Sequence, residues 1–317
     1  MKKCIKRFSL ALMLISSQGL YGQNDFFFNH YMFNPSYYNP GWVGTEQVAF
    51  VAAHHRTQWA GYDATLDPGG APTTQLVSLV VPVQGTFSGF GVSVSNDRTG
   101  PLNTVQARLA IAAKRQLPAG VVSLGVMPSL NVASLDANYR FTDPGDGLIP
   151  EGTESQFQPN LHVGVFFKAR RDYFIGASVE NLLQPAFDFG TLASNETAMN
   201  LNLVGGKEFR LGRELVITPS VLVRSDLRTY SFETSAIAMY QDKMWGGASF
   251  RRGEAASVLI GYSFLENNIL RAGYSFDYIL KNREGKQPTS HEIYIRYNLP
   301  NLVFGGKKTV KTPRFTF

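Results

Sequence analysis

A chain of 317 residues whose only cysteine is Cys4 carries no disulfide framework and no Cys-ligated metal centre. Its formal charge of +6 is a property of the two ends, where Lys2, Lys3, Lys6 and Arg7 open the chain and Lys307, Lys308, Lys311 and Arg314 close it. Without those eight residues the body holds 22 basic against 24 acidic side chains, which gives no footprint for nucleic acid.

In chain order, residues 1–22 are predicted to be an export leader. A basic start precedes the apolar run Phe8–Ile15, and Leu20-Tyr21-Gly22 supplies the cleavage site before Gln23. The run is shorter than the roughly 20 apolar residues that span a bilayer. Cys4 would leave with the leader. No later stretch is long and apolar enough for a transmembrane helix, so two exported classes remain: a soluble β-rich protein or an outer-membrane barrel.

Residues 23–46 come next. "NHYMFNPSYYNPGWVG" (29–44) packs five aromatics and two prolines into sixteen positions with neither helix nor strand periodicity. Such a segment is expected to plug or line a barrel near or in its periplasmic mouth, or to pack on the rim. Its candidate plug or partner-binding residues are Tyr31, Met32, Phe33, Asn34, Pro35, Asn39, Pro40 and Trp42.

From residue 47 to 299 the pattern alternates with a period of two, the mark of strands with unlike faces. In 270–278, Leu270, Ala272, Tyr274, Phe276 and Tyr278 share a face opposite Arg271, Gly273, Ser275 and Asp277. Fourteen segments read this way: 48–57, 73–83, 87–97, 103–116, 119–132, 157–170, 172–180, 199–211, 213–225, 229–241, 243–252, 256–264, 268–278 and 290–299. Their polar faces carry charges and glycines, aromatics gather near their ends, and about ten residues suffices for a tilted strand to cross. The links sort by parity: every even link has three residues or fewer, while the odd links include 58–72, 133–156, 181–198 and 279–289. A barrel with both termini in the periplasm predicts short turns inside and long loops outside. The fold class expected is therefore an all-β, outer-membrane barrel of about 14 antiparallel strands, followed by a basic periplasmic tail, 300–317.

Candidate chemistry is sparse. His54 and His55 are adjacent on a strand, so they point to opposite faces and cannot chelate one ion together. His162 and His291 have serines nearby, Ser155 and Ser290, but nothing marks a nucleophile. Asp143-Pro-Gly-Asp146-Gly offers carboxylates in an acidic loop, yet lacks the spacing of a calcium loop. Asp143 and Asp146, with Arg56 and Trp59, are kept as candidate partner contacts. The inward charges Glu180, Glu233, Arg271, Asp277, Glu292 and Arg296 are expected to pair with one another. No enzyme activity, cofactor or metal is expected.

Several blocks in order resemble the PorP/SprF family of outer-membrane proteins, which accompanies type IX secretion and gliding motility in the Bacteroidetes. Gln23 followed by "YMFNPSYYNPGWVGT" resembles the family's opening. "HHRTQWAGYDATLDPGGAPTTQLVSLVVP" (54–82), "GFGVSVSNDRTGP" (89–101), "ASVENLLQP" (177–185), "YSFDYIL" (274–280) and "SHEIYIRYNL" (290–299) are similar to its later blocks. "NPGWVG" departs from the family's more usual "NPAYAG", and Pro313 argues against a further strand in the tail. The resemblance implies a non-enzymatic barrel that anchors or docks a secreted, adhesin-like surface protein through that protein's C-terminal domain, beside other secretion components. The expected partners are thus outer-membrane lipid, the secreted protein and type IX components, with no nucleic acid. The alternative is a channel of the fatty-acid-transport type for a hydrophobic solute.

Overall fold

The computed structural model describes residues 26–62, 70–83, 87–136, 153–189, 195–281, 286–300 and 302. The expected leader, Asp143, Asp146 and nearly all of the basic tail lie outside the described residues.

Seventeen strands are found among the described residues: β1 (Ala49–Thr57), β2 (Thr73–Pro82), β3 (Phe87–Thr99), β4 (Leu102–Leu117), β5 (Gly120–Asp136), β6 (Thr153–Ala169), β7 (Tyr173–Glu180), β8 (Ala186–Phe187), β9 (Asn195–Glu196), β10 (Asn200–Lys207), β11 (Phe209–Leu211), β12 (Leu215–Ser225), β13 (Tyr230–Tyr240), β14 (Met244–Arg251), β15 (Ala255–Phe264), β16 (Leu270–Ile279) and β17 (Thr289–Leu299). β8 and β9 form a small separate ribbon. β10 and β11 are two lengths of one stave, broken at Glu208, and both pair with β12. β10 also pairs with β7, and β1 pairs with β17, so fourteen antiparallel staves close on themselves. Closure leaves no sheet edge, which is the condition for a β structure to sit in lipid, where an unpaired backbone amide has no water to bond. No described helix is long and apolar enough to cross a membrane.

Each of the fourteen predicted segments is one stave. The predicted ends are off by a residue or two in most staves and by four in β5 and β6. Those two strands run on together, pairing Ala133–Asp136 with Gln156–Thr153. Ser134, Ser155 and Gln156 are polar on a hairpin that rises past the apolar zone, so the alternation that marks a lipid face is absent there.

The faces follow the alternation. On β13 Ser231, Glu233, Ser235 and Ile237 are buried inside, while Tyr230, Ala236 and Tyr240 are exposed outside. Tyr230 and Tyr240 stand ten residues apart at the two ends of this strand. At about 3.3 Å per residue and a tilt near 40°, that separation projects to roughly 25 Å along the barrel axis, the height of an outer-membrane apolar band. Tyr173, Phe209, Tyr262 and Tyr297 are exposed near the same end as Tyr240, and Phe157 and Tyr278 near the other. Two aromatic belts therefore bracket an apolar zone containing Leu124, Val258 and Ile260.

Short turns join β2–β3, β4–β5, β6–β7, β11–β12, β13–β14 and β15–β16 at one end. The longer connections gather at the other end. The core lies inside the barrel: Phe33, Val43, Phe50, Trp245, Leu259 and Tyr294 form one buried cluster, and Phe28, Tyr31, Tyr37, Tyr38, Leu76 and Leu222 a second. Both mix strand residues with the segment that precedes β1.

Candidate functional site

That segment, residues 26–46, passes through the lumen. Its prolines set its shape. Pro35 opens the 3-10 turn Pro35–Tyr37, and Pro40 opens the helical turn Pro40–Val43, positions where a missing N–H costs nothing. Asn39 caps the latter: its Oδ1 accepts from the Gly41 amide at 2.8 Å. The same side chain donates through Nδ2 to the carbonyls of Val165 and Ala177 at 3.0 and 3.2 Å, tying the turn to β6 and β7.

The wall accepts this turn because it carries glycine there. A Cβ on Gly125 would lie 2.3 Å from the Pro40 carbonyl carbon, and one on Gly164 2.3 Å from Asn39 Oδ1. Backbone therefore packs on backbone across β5 and β6. Val43 sits over Gly89 in the same way, with the added Cβ 2.4 Å from its carbonyl oxygen.

Gly125, Gly164 and Gly89 belong to the short-turn end of their strands, so Pro40–Val43 lies in that mouth. The expectation placed the whole segment there, but it reaches further. Asn29 and His30 bond to Glu292, Asp277 and Ser275 near the long-loop ends of β17 and β16. The chain thus descends much of the lumen before it enters β1.

Buried ion pairs ring the descending segment. The Arg56 guanidinium meets Asp277 at 2.6 Å and Glu292 at 3.6 Å. Glu292 also takes the Asn29 amide at 2.6 Å and His30 Nδ1 at 2.8 Å. Asn29 Nδ2 donates to Asp277, and its Oδ1 accepts from Arg251 at 3.3 Å. Arg251 pairs with Glu233 at 3.1 Å. The guanidiniums of Arg224 and Arg251 both stack on Phe27, each 4.3 Å from its ring centre. Nearer the middle, Arg108 bonds Glu180 at 2.9 Å and the Tyr37 carbonyl at 3.0 Å, with its guanidinium 4.1 Å above the Tyr37 ring. The inward charges do not pair with one another as expected. Glu180, Glu233, Asp277, Glu292 and Arg296 pair instead with Arg108, Arg251, Arg56, His30 and Glu46, and Arg271 meets no carboxylate among the described residues. A charge buried this deeply needs a counter-ion at contact distance, and neighbouring staves present their charges at different heights.

The candidate residues divide into two places. Tyr31 is buried, with its hydroxyl 3.0 Å from both Ser220 and Ser235. Burial, and then the nearby Glu233 carboxylate, push its phenol up to about 12. Met32 packs against both lumen clusters. Phe33 rests on Trp245 and Tyr294 at centroid distances of 5.2 and 5.5 Å. Asn34 donates to Ser78 at 3.1 Å, and Trp42 meets the Phe50 ring edge-on. With Pro35, Asn39, Pro40 and Arg56, these residues are assembled inside the barrel. Trp59 stands apart on the long-loop rim, next to Tyr62 and under Lys286 Nζ at 4.8 Å.

Asn29, His30, Arg108, Arg224 and Arg251 were not singled out from sequence. Arg108 carried a signal, as a charge between the outward residues Ala107 and Leu109 on an alternating strand. Asn29 and His30 carried none.

His54 is buried inside and His55 exposed outside, as their adjacency requires. His162 bonds Ser129, not Ser155: Ser129 Oγ is 2.9 Å from Nε2, while Nδ1 accepts from the Asn181 amide at 3.3 Å. An amide only donates, so the ring proton sits on Nε2 and points at the serine, the wrong arrangement for a base that deprotonates it. Among the described residues, no three His, Cys, Asp or Glu side chains are grouped to hold a metal.

A closed fourteen-stave barrel with a filled lumen sets the frame for comparison. The family model described as "Type IX secretion system membrane protein PorP/SprF" matches residues 20–297. The chain belongs to this family. It is an outer-membrane barrel of the type IX secretion system family, and its opening "YMFNPSYYNPGWVGT" block is the lumen segment just described. No curated protein sequence matches it. Among solved structures, the Ralstonia pickettii toluene transporter TbuX is similar over 84% of this chain and 93% of its own, at 10% identity and a TM-score of 0.52. A Pseudomonas aeruginosa FadL homologue covers 82% and 92% at 12% identity and a TM-score of 0.48. The Acinetobacter baumannii protein Omp33 covers 81% and 100% at 9% identity and 0.47. At such identities the likeness is one of barrel fold.

Proposed function

We propose that this PorP/SprF protein is a non-enzymatic, self-plugged barrel that docks a type IX secreted, adhesin-like surface protein at its outer rim. The docked protein is held through its C-terminal domain, beside other secretion components. The observation that carries the reading is the packed lumen. Phe28, Phe33, Trp245 and Tyr294 occupy its middle, and hydrogen bonds with Glu292, Arg108 and Arg224 tie the segment to β17, β4 and β12 around the barrel. This favours a rigid platform over a conduit for a hydrophobic solute. Tyr31 to Trp42 and Arg56 then serve as plug residues. Trp59 belongs to the docking rim with the long connections, and Asp143 and Asp146 are proposed to join it. Residues 1–22 act as a leader and 300–317 as a periplasmic tail.

The test is chromosomal deletion combined with affinity capture of the tagged barrel from outer membranes. Docking predicts a secreted protein in the captured material and its loss from the cell surface in the deletion strain, with uptake of hydrophobic solutes unchanged. Capture of no surface protein at full bait yield overturns the reading.

A further inference from the structure

The lipid-facing wall is not evenly convex. Over β3 to β10 it carries a furrow of about 570 Å³ lined by Phe87, Ile111, Leu124, Val126, Val165 and Ala177 among others. Its cause lies on the inner side. Gly125 and Gly164 draw β5 and β6 onto Pro40 and Asn39, and small outward residues, Ala113 and Ala177, leave the dent unfilled. On β4 to β7 the furrow crosses the staves about four to six residues from their short-turn ends. At about 3.3 Å per residue along tilted strands, that is roughly 10–15 Å above the rim, the depth of acyl chains in the periplasmic leaflet.

Directly below, the rim is basic. Arg115, Arg170, Arg171, Lys207, Arg210 and Arg213 stand against Asp172, Glu208 and Glu214, and those three acids are occupied. Asp172 and Glu208 pair with Arg210 at 3.5 and 3.0 Å, while Glu214 accepts from Tyr240 and Gln241. Among the described residues, the exposed side chains of Arg115, Arg170, Arg171 and Arg213 meet no carboxylate. The turns on the far side of the barrel carry only Lys243 against Asp242 and Glu266. The excess positive charge thus sits under the furrow and nowhere else on this rim among the described residues.

We infer that the furrow and the arginines beneath it form one binding site for an anionic phospholipid of the periplasmic leaflet. An acyl chain fills the dent between Leu124 and Ala177. The phosphate sits at Arg170 and Arg171 in the β6–β7 turn, whose guanidiniums suit phosphate oxygens, while Arg115 on β4 and Arg213 in the next short turn flank it and add to the positive field. Several basic groups near an anionic lipid surface act together, so they distinguish an anionic from a zwitterionic lipid.

The test is native mass spectrometry of the full barrel titrated with phosphatidylglycerol or with phosphatidylcholine of identical chains. Phosphatidylglycerol should bind about tenfold or more tighter. The combined substitution R115Q/R170Q/R171Q/R213Q should abolish that preference. Ala177→Trp, which fills the dent and leaves the arginines, should weaken phosphatidylglycerol binding by a similar factor. Heat-dependent gel mobility, the mark of a closed barrel, should be retained in both variants. Equal binding of the two lipids overturns the site. So does undiminished binding after either substitution, because a diffuse basic surface would ignore the furrow.

Discussion

Arg56 and Asp277 lie 221 positions apart in the chain and meet at 2.6 Å, with both side chains sealed inside the barrel. The pair joins the first stave to the sixteenth strand at the level where Asn29 also bonds Asp277. Removing one member leaves a buried charge with fewer partners, which costs about 3–5 kcal/mol. Asp277→Asn should therefore lower the urea midpoint of the refolded barrel by that equivalent, while Arg56→Met with Asp277→Leu should recover much of it. A midpoint unmoved by Asp277→Asn would mean the pair is not buried as described.

Removing the lumen segment tests the plug directly. A chain lacking residues 27–42 keeps every stave, because the deletion ends before Ala49. It should still fold into a closed barrel, yet conduct ions steadily in a planar bilayer where the intact protein is silent. An intact barrel that already conducts would show that the segment does not seal the lumen, and a shortened one that stays closed would show that something else fills it.

Much of this fold was legible because lipid is a demanding solvent. A stave must present apolar residues every second position on the outside, and β15 and β16 do so almost without exception. The loop parity was legible because the staves are even in number, so that β1 starts and β17 ends on the same rim, where Ala49 pairs with Leu299. The interior was less so. Gly125 and Gly164 read in sequence as unremarkable inward positions, because glycine belongs to neither face, and only the presence of Pro40 and Asn39 gives them meaning. Pairing was hidden too. Arg108 and Glu180 are 72 positions apart, and their contact depends on how far each strand is staggered around the barrel.

Gly164 offers the sharpest probe of the dented wall. Gly164→Val puts a branched side chain where Asn39 Oδ1 now lies, 2.3 Å from the new Cβ. The Pro40–Val43 turn must then move off the wall, losing the two carbonyl bonds of Asn39. We expect destabilisation by about 1–3 kcal/mol, with brief channel openings in bilayers. Asn39→Ala should give openings of the same kind without overpacking. If Gly164→Val folds as stably as the parent and stays silent, the close approach is not a constraint.

The Tyr31 phenol predicts a response to alkali. Its folded value of about 12 lies above the ordinary value of 10, first because of burial and then because of Glu233. A raised value means that the neutral phenol stabilises the folded state fully below pH 10, and that this contribution is lost as pH climbs from about 10 through about 12. The ultraviolet difference titration between the parent and Tyr31→Phe should therefore show one phenol with a midpoint near 12. A midpoint near 10 would place Tyr31 in water instead of between Ser220 and Ser235.

The lipid face can be tested by depth. Ile260 is exposed near the middle of β15, and Phe264 at its short-turn end. Arginine at the midplane of an outer-membrane barrel costs about 2–4 kcal/mol, and near an interface about 0–1. Ile260→Arg should thus lose several times more folding free energy in liposomes than Phe264→Arg, although both replace one exposed apolar residue on the same strand. Leu259 is the control for face, since it is buried against the lumen cluster with Phe33 and Trp245. Leu259→Ala should cost about 2–5 kcal/mol through the cavity it leaves, whatever the surrounding lipid. A bilayer with shorter chains should reduce the cost of Ile260→Arg and leave that of Leu259→Ala alone, because only the former is set by distance from the interface. Equal costs for Ile260→Arg and Phe264→Arg in every bilayer would mean that lipid does not touch this face.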